Sequence, residues 1–179
     1  MLDTAKCCLV IVDVQGKLAE LMDNKEAVFA NIEILIKTAK VLEFDIIWCQ
    51  QHPRALGPTI PQIAKLLTDK EPIDKLSFSC CGYDEFNEKL KERRSRQVIL
   101  CGIEAHVCIY QTAMDLLERD YEVHVITDAI SSRTSANKEI AIRRMEAEGV
   151  LLSCTEMALF ELLRTAKHPK FKELMKLIK

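Results

Sequence analysis

The sequence predicts a three-layer α/β/α fold, in which helices cover both faces of a doubly wound, six-stranded, mostly parallel sheet. Three observations indicate this class. The chain contains six short apolar runs, and the first of them, CCLVIVD, lacks the alternation of a half-exposed strand and ends on a carboxylate, Asp13. Stretches with helical spacing of apolar residues follow the runs. Strands that alternate with helices favour a parallel sheet of the Rossmann-like kind.

The six apolar runs give the predicted strands. They lie at residues 7–13, 44–50, 72–79, 96–102, 121–127 and 150–154. The third run is interpreted as a short strand together with its exit loop.

Helices are predicted from apolar periodicity and from stop signals. They lie at residues 28–42, about 61–67, 83–94, directly after 96–102, and at 135–149, 155–165 and 169–178. Three prolines and a glycine in residues 52–61 predict a loop there. The apolar stripe of the last helix either packs on its own sheet or serves a neighbouring subunit.

Ligands of doubly wound sheets bind beyond the carboxyl ends of the strands, where the strand order reverses. The residues of interest therefore follow the strands directly. They are Asp13 and Gln15, then residues 50–52, 75–79, 102–108 and 128–133.

Length and charge restrict the classes of function. A chain of 179 residues is expected to form a single domain, residues 1–179. The formal net charge of −2, with basic and acidic residues intermixed, predicts a small-molecule substrate, no nucleic acid and no membrane as partners. No run approaches the roughly 20 apolar residues that a membrane span requires, so we expect a soluble protein.

The eight cysteines are interpreted as reduced thiols of a cytoplasmic protein rather than as four disulfides. Two adjacent pairs, Cys7-Cys8 and Cys80-Cys81, would bridge poorly, and no signal-like segment precedes the first strand. C-x-x-C motifs, phosphate-loop and dinucleotide fingerprints are absent, and the four histidines are scattered. We therefore expect no metal and no cofactor.

Cys108 is the candidate nucleophile. It follows the fourth strand and should lie one turn into a helix, where partial positive charge and free N–H groups lower a thiol pKa and favour the thiolate. Asp13 could accept the thiol proton, and Lys75 could keep that carboxylate ionised. The alternative interpretation of Cys108 is a small buried apolar side chain.

Four segments, CCLVIVDVQ, PIDKLSFS, ILCGIEAHVC and VHVITDAISSR, together resemble the isochorismatase-like cysteine hydrolases, which include nicotinamidases and N-carbamoylsarcosine amidohydrolase. The resemblance runs over about residues 7–163 and implies a catalytic triad of Asp13, Lys75 and Cys108. It also implies a cis peptide bond between Ile103 and Glu104, and an oxyanion hole formed by the N–H groups of Glu104 and Cys108. The implied mechanism is thiolate attack, loss of ammonia or an amine, and hydrolysis of a thioester.

Two departures from the motifs of related enzymes restrict the range of possible substrates. Nicotinamidases carry a D-x-H…H metal motif after the second strand, whereas this chain has His52 alone. True isochorismatases replace the cysteine, whereas this chain retains Cys108. The loop at residues 51–59 and the GIEAHVC string resemble the small isochorismatase-domain-containing subgroup, for which the resemblance implies the reaction type and an oligomer of at least two subunits but no particular substrate. We expect hydrolysis of a C–N bond in a small substrate of the amide type.

Further positions are candidates for substrate binding or loop structure. The candidate substrate-binding residues are Gln15, His52, Leu56, Phe78 and Ile103. Asp128 and Arg133 could form an ion pair after the fifth strand, with a local loop clamp as the alternative.

Two rival functions stay open. The chain could be a catalytically silent oligomeric scaffold or binding module in which Cys108 is unreactive. It could also be a redox thiol protein in which Cys101 resolves an oxidised Cys108.

Overall fold

A computed structural model describes residues 1–92 and 95–178. Its core is one six-stranded sheet in the order β3-β2-β1-β4-β5-β6, and every neighbouring pair is parallel, where the sequence predicted a mostly parallel sheet. The strands are β1 (Cys7–Val12), β2 (Asp45–Gln51), β3 (Ile73–Lys75), β4 (Gln97–Ile103), β5 (Glu122–Ser131) and β6 (Leu151–Ser153).

Helices flank this sheet on both sides. They are α1 (Gly16–Glu20), α2 (Lys25–Leu42), α3 (Pro53–Leu56), α4 (Pro61–Ala64), α5 (Asp84–Glu92), α6 (Tyr110–Leu117), α7 (Ser135–Ala147), α8 (Thr155–Leu163) and α9 (Phe171–Leu174). A 3-10 turn, Cys80–Gly82, follows β3, and a π-helical turn, Ala105–Ile109, joins β4 to α6.

The two faces of the sheet bury separate apolar cores because side chains alternate along each strand. In β1, Leu9 and Ile11 join a core covered by α2 and α8, whereas Val10 and Val12 join a core covered by α5, α6 and α7. These opposite orientations explain why the strand is apolar throughout. The predicted three-layer α/β/α architecture is confirmed.

Several predicted bounds are wrong. The loop predicted at 52–61 contains α3, because His52 and Pro53 begin a short helical turn. The C-terminal helix predicted at 169–178 is reduced to Phe171–Leu174. Leu174 is fully buried against Leu159 and Leu163 of α8. The apolar stripe of the last helix therefore packs on helices of its own chain. Within the helix predicted at 83–94, Arg93 and Arg94 lie outside the described residues.

The order of the strands reverses between β1 and β4, and these two strands approach closely at their carboxyl ends. Gly102 has φ +121°, and a Cβ atom there would lie 2.1 Å from the carbonyl oxygen of Val12. Glycine is needed at this position both for its backbone conformation and for the space. The reversal brings the residues that follow β1 and β4 to the same edge of the sheet.

Among the described residues, no helix combines the length and the apolar character needed to span a bilayer.

Candidate active site

Asp13 lies directly after β1, at the edge where the strand order reverses. Its backbone has φ 55°, a left-handed conformation that aspartate tolerates better than most residues. Its N–H donates to the carbonyl oxygen of Cys49 at 3.1 Å, which ties the turn to β2. The side chain is buried, and Oδ2 accepts a hydrogen bond from Lys75 Nζ at 2.8 Å.

Lys75 reaches Asp13 from the far side of β2. It is the last residue of the edge strand β3, not a residue of its exit loop as the sequence suggested, and its side chain is completely buried. Besides Asp13, the ammonium donates to Gln51 Oε1 at 2.8 Å and to the carbonyl oxygens of Ser77 at 3.2 Å and Phe78 at 3.0 Å. These acceptors replace the water that burial removes, so the charge can exist inside the protein.

Cys108 lies on the π-helical turn rather than on a regular first turn of α6. The peptide bond between Ile103 and Glu104, directly before this turn, is cis. The Glu104 carbonyl oxygen accepts hydrogen bonds from the N–H groups of Val107 and Ile109, which closes the turn around Cys108. Cys108 is buried, with 6% of the residue's surface exposed.

The structure thus brings together the three side chains of the expected triad. Asp13 Oδ1 is buried and has no hydrogen-bond partner among the described residues. Lys75 holds Oδ2, and the Asp13 carboxyl and the Cys108 thiol are close enough to shift each other's pKa.

The electrostatics of Cys108 differ from the sequence-based expectation. Burial raises the pKa of the Cys108 thiol well above its ordinary value, the negative charge of Asp13 raises it further, and Lys75 only partly opposes the rise. The prediction of a thiol with a lowered pKa is therefore wrong, because burial and the charge of Asp13 raise the pKa more than Lys75 lowers it. Cys108 rests as a neutral thiol beside a proton acceptor.

The pKa values of the two charged partners shift in the same direction for different reasons. Burial raises the pKa of the Asp13 carboxyl, and the Lys75 ammonium opposes this without cancelling it. Burial alone would lower the pKa of Lys75, but the charge of Asp13 raises it above its usual value. Lys75 therefore stays cationic, and Asp13 is a stronger proton acceptor than an exposed aspartate.

Of the two alternatives for Asp128 and Arg133, an ion pair or a local loop clamp, the ion pair does not form. Arg133 donates through Nε to Glu104 Oε1 at 2.8 Å, and Asp128 Oδ1 instead accepts from the N–H and Oγ1 of Thr155 at 2.8 Å each. Asp128 thus caps the start of α8, and the Arg133–Glu104 pair braces the segment before the π-turn.

The five predicted substrate-binding residues occupy three kinds of position. Ile103 is fully buried in the core. Gln15 is also fully buried, and its amide binds the backbone of Gln51 and Gly57, so it fixes the loop after β2. His52 and Phe78 are exposed, and Leu56 is half-buried. Substrate contact by these residues stays a prediction.

A hollow of about 260 Å³ lies at the carboxyl end of β3. Its lining residues are His52, Pro53, Arg54, Asp74, Lys75, Leu76 and Tyr83. Of the predicted residues it includes His52 and Lys75 but not Leu56, Phe78 or Cys108.

Sequence reasoning included Gln51, Glu104 and Arg133 among the residues after the strands but missed the contacts that they make. The hydrogen bond from Lys75 to Gln51 and the Glu104–Arg133 pair depend on strand pairing that a single sequence does not show. It also misplaced Cys101, whose side chain lies in the core on the face opposite Cys108. The parity of positions along the fourth strand could have revealed this, because neighbouring residues point to opposite faces. Among the described residues, no group of His, Cys, Asp and Glu side chains is arranged to hold a metal ion.

Comparison with known proteins places this arrangement in context. The isochorismatase domain family matches residues 7–157 of the chain. Isochorismatase domain-containing protein 2 of Danio rerio is 39% identical over 178 residues, which are 99% of this chain and 89% of that protein. A solved structure described as the MAR1 ribonuclease of Caenorhabditis elegans has a TM-score of 0.93 and 38% identity, covering 99% of this chain and 91% of that one. The YcaC gene product of Escherichia coli, described as an octameric hydrolase of unknown specificity, shares the fold with a TM-score of 0.88 at 22% identity, covering 98% and 94%.

Proposed function

Because the chain belongs to the isochorismatase family, and this membership supports a hydrolase-like role, we propose that the protein is a cysteine hydrolase. It cleaves the C–N bond of a small amide through a thioester on Cys108. One observation carries the proposal. A buried thiol lies beside a carboxylate, one oxygen of which is held by a buried ammonium.

Acylation begins with proton transfer. As the Cys108 sulfur attacks the carbonyl carbon of the amide, its proton moves to the free oxygen of Asp13, and the carbonyl π electrons move to the oxygen. The N–H groups of Glu104 and Cys108 are proposed to bind this oxyanion. The tetrahedral intermediate collapses, the C–N bond breaks, and the leaving nitrogen takes the proton from Asp13.

Deacylation uses the same groups in reverse. Asp13 accepts a proton from water, the hydroxide oxygen attacks the thioester, and the C–S bond breaks. The sulfur recovers its proton from Asp13, which restores the neutral thiol. Lys75 remains protonated in both halves because its raised pKa keeps its charge, and it holds the orientation of Asp13.

The name of the Caenorhabditis elegans relative suggests a second candidate, cleavage of RNA. The chain itself carries a formal net charge of −2, and the ammonium at the site is completely buried against four acceptors. Those charges favour a small uncharged group over a polyanion at Cys108.

We also propose that the chain forms a homo-oligomer, as the Escherichia coli relative does.

A substrate panel tests the proposal. Small amides and ureides are assayed for ammonia release, and a labelled RNA is included as the competing substrate. Wild type should turn over at least one amide, and mass spectrometry of quenched reactions should find an acyl group on Cys108. Cys108→Ala should lose the activity, whereas the control Cys154→Ala, which removes a partly exposed thiol, should keep it.

Three outcomes would contradict the proposal. Cys108→Ala with more than a hundredth of wild-type turnover would exclude covalent catalysis by that sulfur. RNA cleavage without turnover of any amide would favour the nuclease. A protein that is inert to every substrate but assembles and binds ligands would favour the scaffold.

A further inference from the structure

Five cysteines of the described chain lie in one core beside the proposed site. Cys49 of β2, Cys80 of the 3-10 turn and Cys108 all belong to the core covered by α5, α6 and α7. Cys49 and Cys80 are completely buried, and their thiols interact directly. The proposed hydrolysis uses Cys108 alone, so the other two have no role in it.

Cys80 is fixed against the helix that follows Cys108. Its backbone N–H donates to Thr112 Oγ1 at 3.0 Å, and the preceding residue, Ser79, donates through Oγ to Asp115 Oδ2 at 2.6 Å. Thr112 lies four positions after Cys108, on the helix α6 that continues the π-helical turn. Two hydrogen bonds thus hold the turn carrying Cys80 against α6, and the Cys80 thiol is near enough to Cys108 to contribute to its raised pKa.

Residue burial distinguishes the three cysteines. The Cys108 residue is 6% exposed, whereas the Cys49 and Cys80 residues are 0% exposed. Cys108 is therefore the least buried of the three and the first candidate for a small oxidant from solvent. Cys101, which the sequence suggested as the resolving thiol, lies in the core on the other face of the sheet, so the sheet itself separates it from Cys108.

We propose that Cys108 is a site of oxidation by hydroperoxides and that Cys80 is its resolving thiol, forming a Cys80–Cys108 disulfide that reversibly blocks the site. The inference rests on the nucleophilic reactivity proposed for Cys108. In the first step the Cys108 sulfur attacks the peroxide, the O–O bond breaks, and sulfenic acid and an alcohol or water form, with Asp13 relaying the thiol proton to the departing oxygen. In the second step the Cys80 sulfur attacks the sulfenic sulfur, the S–O bond breaks, and hydroxide leaves with the Cys80 proton as water.

The disulfide is best mapped in a background that gives each peptide one thiol. Trypsin places Cys80 and Cys81 in the peptide 76–89 and Cys101 and Cys108 in the peptide 97–119. The Cys81→Ala/Cys101→Ala double variant removes this ambiguity. After brief treatment with hydrogen peroxide and alkylation under non-reducing conditions, peptides 76–89 and 97–119 should appear as one linked species, and dithiothreitol should restore both free thiols.

Two further variants in this background make the assignment specific. Cys80→Ala should abolish the linked species and convert Cys108 to sulfinic acid, which dithiothreitol does not reverse. Cys49→Ala, the matched control from the same thiol cluster, should retain the linked species. If Cys80→Ala does not fold, as judged by circular dichroism, the Cys80→Ser variant replaces it with the same expectation.

The opposite results overturn the inference. They are a Cys49–Cys80 disulfide in place of Cys80–Cys108, sulfinic acid at Cys108 with Cys80 free, or an unoxidised Cys108. The readout is a bond between two peptides and does not depend on turnover. A linked species without amide hydrolysis would refute the hydrolase proposal alone, and amide hydrolysis without the linked species would refute this inference alone.

Discussion

Lys75 Nζ lies 2.8 Å from Asp13 Oδ2, although β2 separates the strands that carry the two residues. The contact fixes one oxygen of the carboxylate and leaves the other, Oδ1, without a nitrogen or oxygen partner among the described residues. The ammonium also favours the ionised form of Asp13 in a buried position. This pair therefore determines whether the thiol beside it has a proton acceptor.

Lys75→Met should destabilise the protein most at alkaline pH. Removing one partner of a buried ion pair costs about 3–5 kcal/mol, because the other charge is left uncompensated. Without Lys75 the pKa of Asp13 rises further, so the folded state binds its proton more tightly than the unfolded state does, and stability falls as the pH rises through that range. Urea unfolding should show a larger deficit at pH 8 than at pH 5. The exposed control Lys172→Met should stay within about 0.5 kcal/mol of wild type at both values; an equal deficit of Lys75→Met at the two pH values would refute this account.

Asp13→Asn should change the reactivity and the activity of Cys108 in opposite directions. The substitution removes a negative charge that raises the pKa of the thiol, so the thiolate fraction at one mildly alkaline pH should increase. Alkylation of Cys108 by iodoacetamide, followed site by site with mass spectrometry, should become faster. Amide turnover should fall by about 10²–10⁴-fold because the proton acceptor is lost. Asp69→Asn, at a surface ion pair with Lys40, serves as the control and should change neither rate; slower alkylation in Asp13→Asn would show that the carboxylate does not act on the thiol as described.

The acid limb of the pH–rate profile should lie above the usual range of an aspartate. The base form of Asp13 is required, and burial raises its pKa, so activity should be lost on acidification before an exposed carboxylate would protonate. The measurement is kcat/KM against pH, with circular dichroism at each point to establish that the protein remains folded. A limb at or below the ordinary aspartate pKa would exclude Asp13 as the titrating base.

Gly102→Ala should be more destabilising than Gly149→Ala. Both glycines have positive φ, so alanine introduces backbone strain of about 1–3 kcal/mol at either position. At Gly102 the new Cβ would also lie 2.1 Å from the Val12 carbonyl oxygen, whereas at Gly149 no atom lies within 4 Å. Denaturant unfolding of the two variants separates the clash from the strain. Equal losses would mean that the contact between β1 and β4 is not as close as the structure shows.

The architecture could be predicted because it follows from local patterns in the sequence. Apolar runs such as the one in β1 and the helical periodicity of α2 depend on near neighbours in the chain, and they identify a parallel sheet covered on both faces. The lengths of individual strands and helices were less predictable where tertiary contacts determine them. The strand β5 extends to Ser131, beyond the predicted 121–127, and passes an irregularity in its pairing with β4 between Leu100 and Gly102.

The identity of the site residues was also predictable from the sequence, whereas their electrostatics were not. The resemblance to a family pointed to Asp13, Lys75 and Cys108, and the structure places their side chains together; their catalytic role stays a proposal. The direction of the Cys108 pKa shift was not predictable from the helix position, because burial depends on α5, α6 and α7 packing over the sulfur. The partner of Arg133 was equally hidden, since Glu104 approaches it only after β4 and β5 have paired.

The site residues lie on both sides of β4 in the chain, so they are synthesised at different times. Asp13 and Lys75 are translated before β4, and Cys108 after it. A chain emerging from the ribosome therefore carries Asp13 and Lys75 before Cys108, and the three side chains meet only when the second half docks beside the first. Cutting the polypeptide between α5 and β4 would yield two fragments, neither of which holds all three side chains.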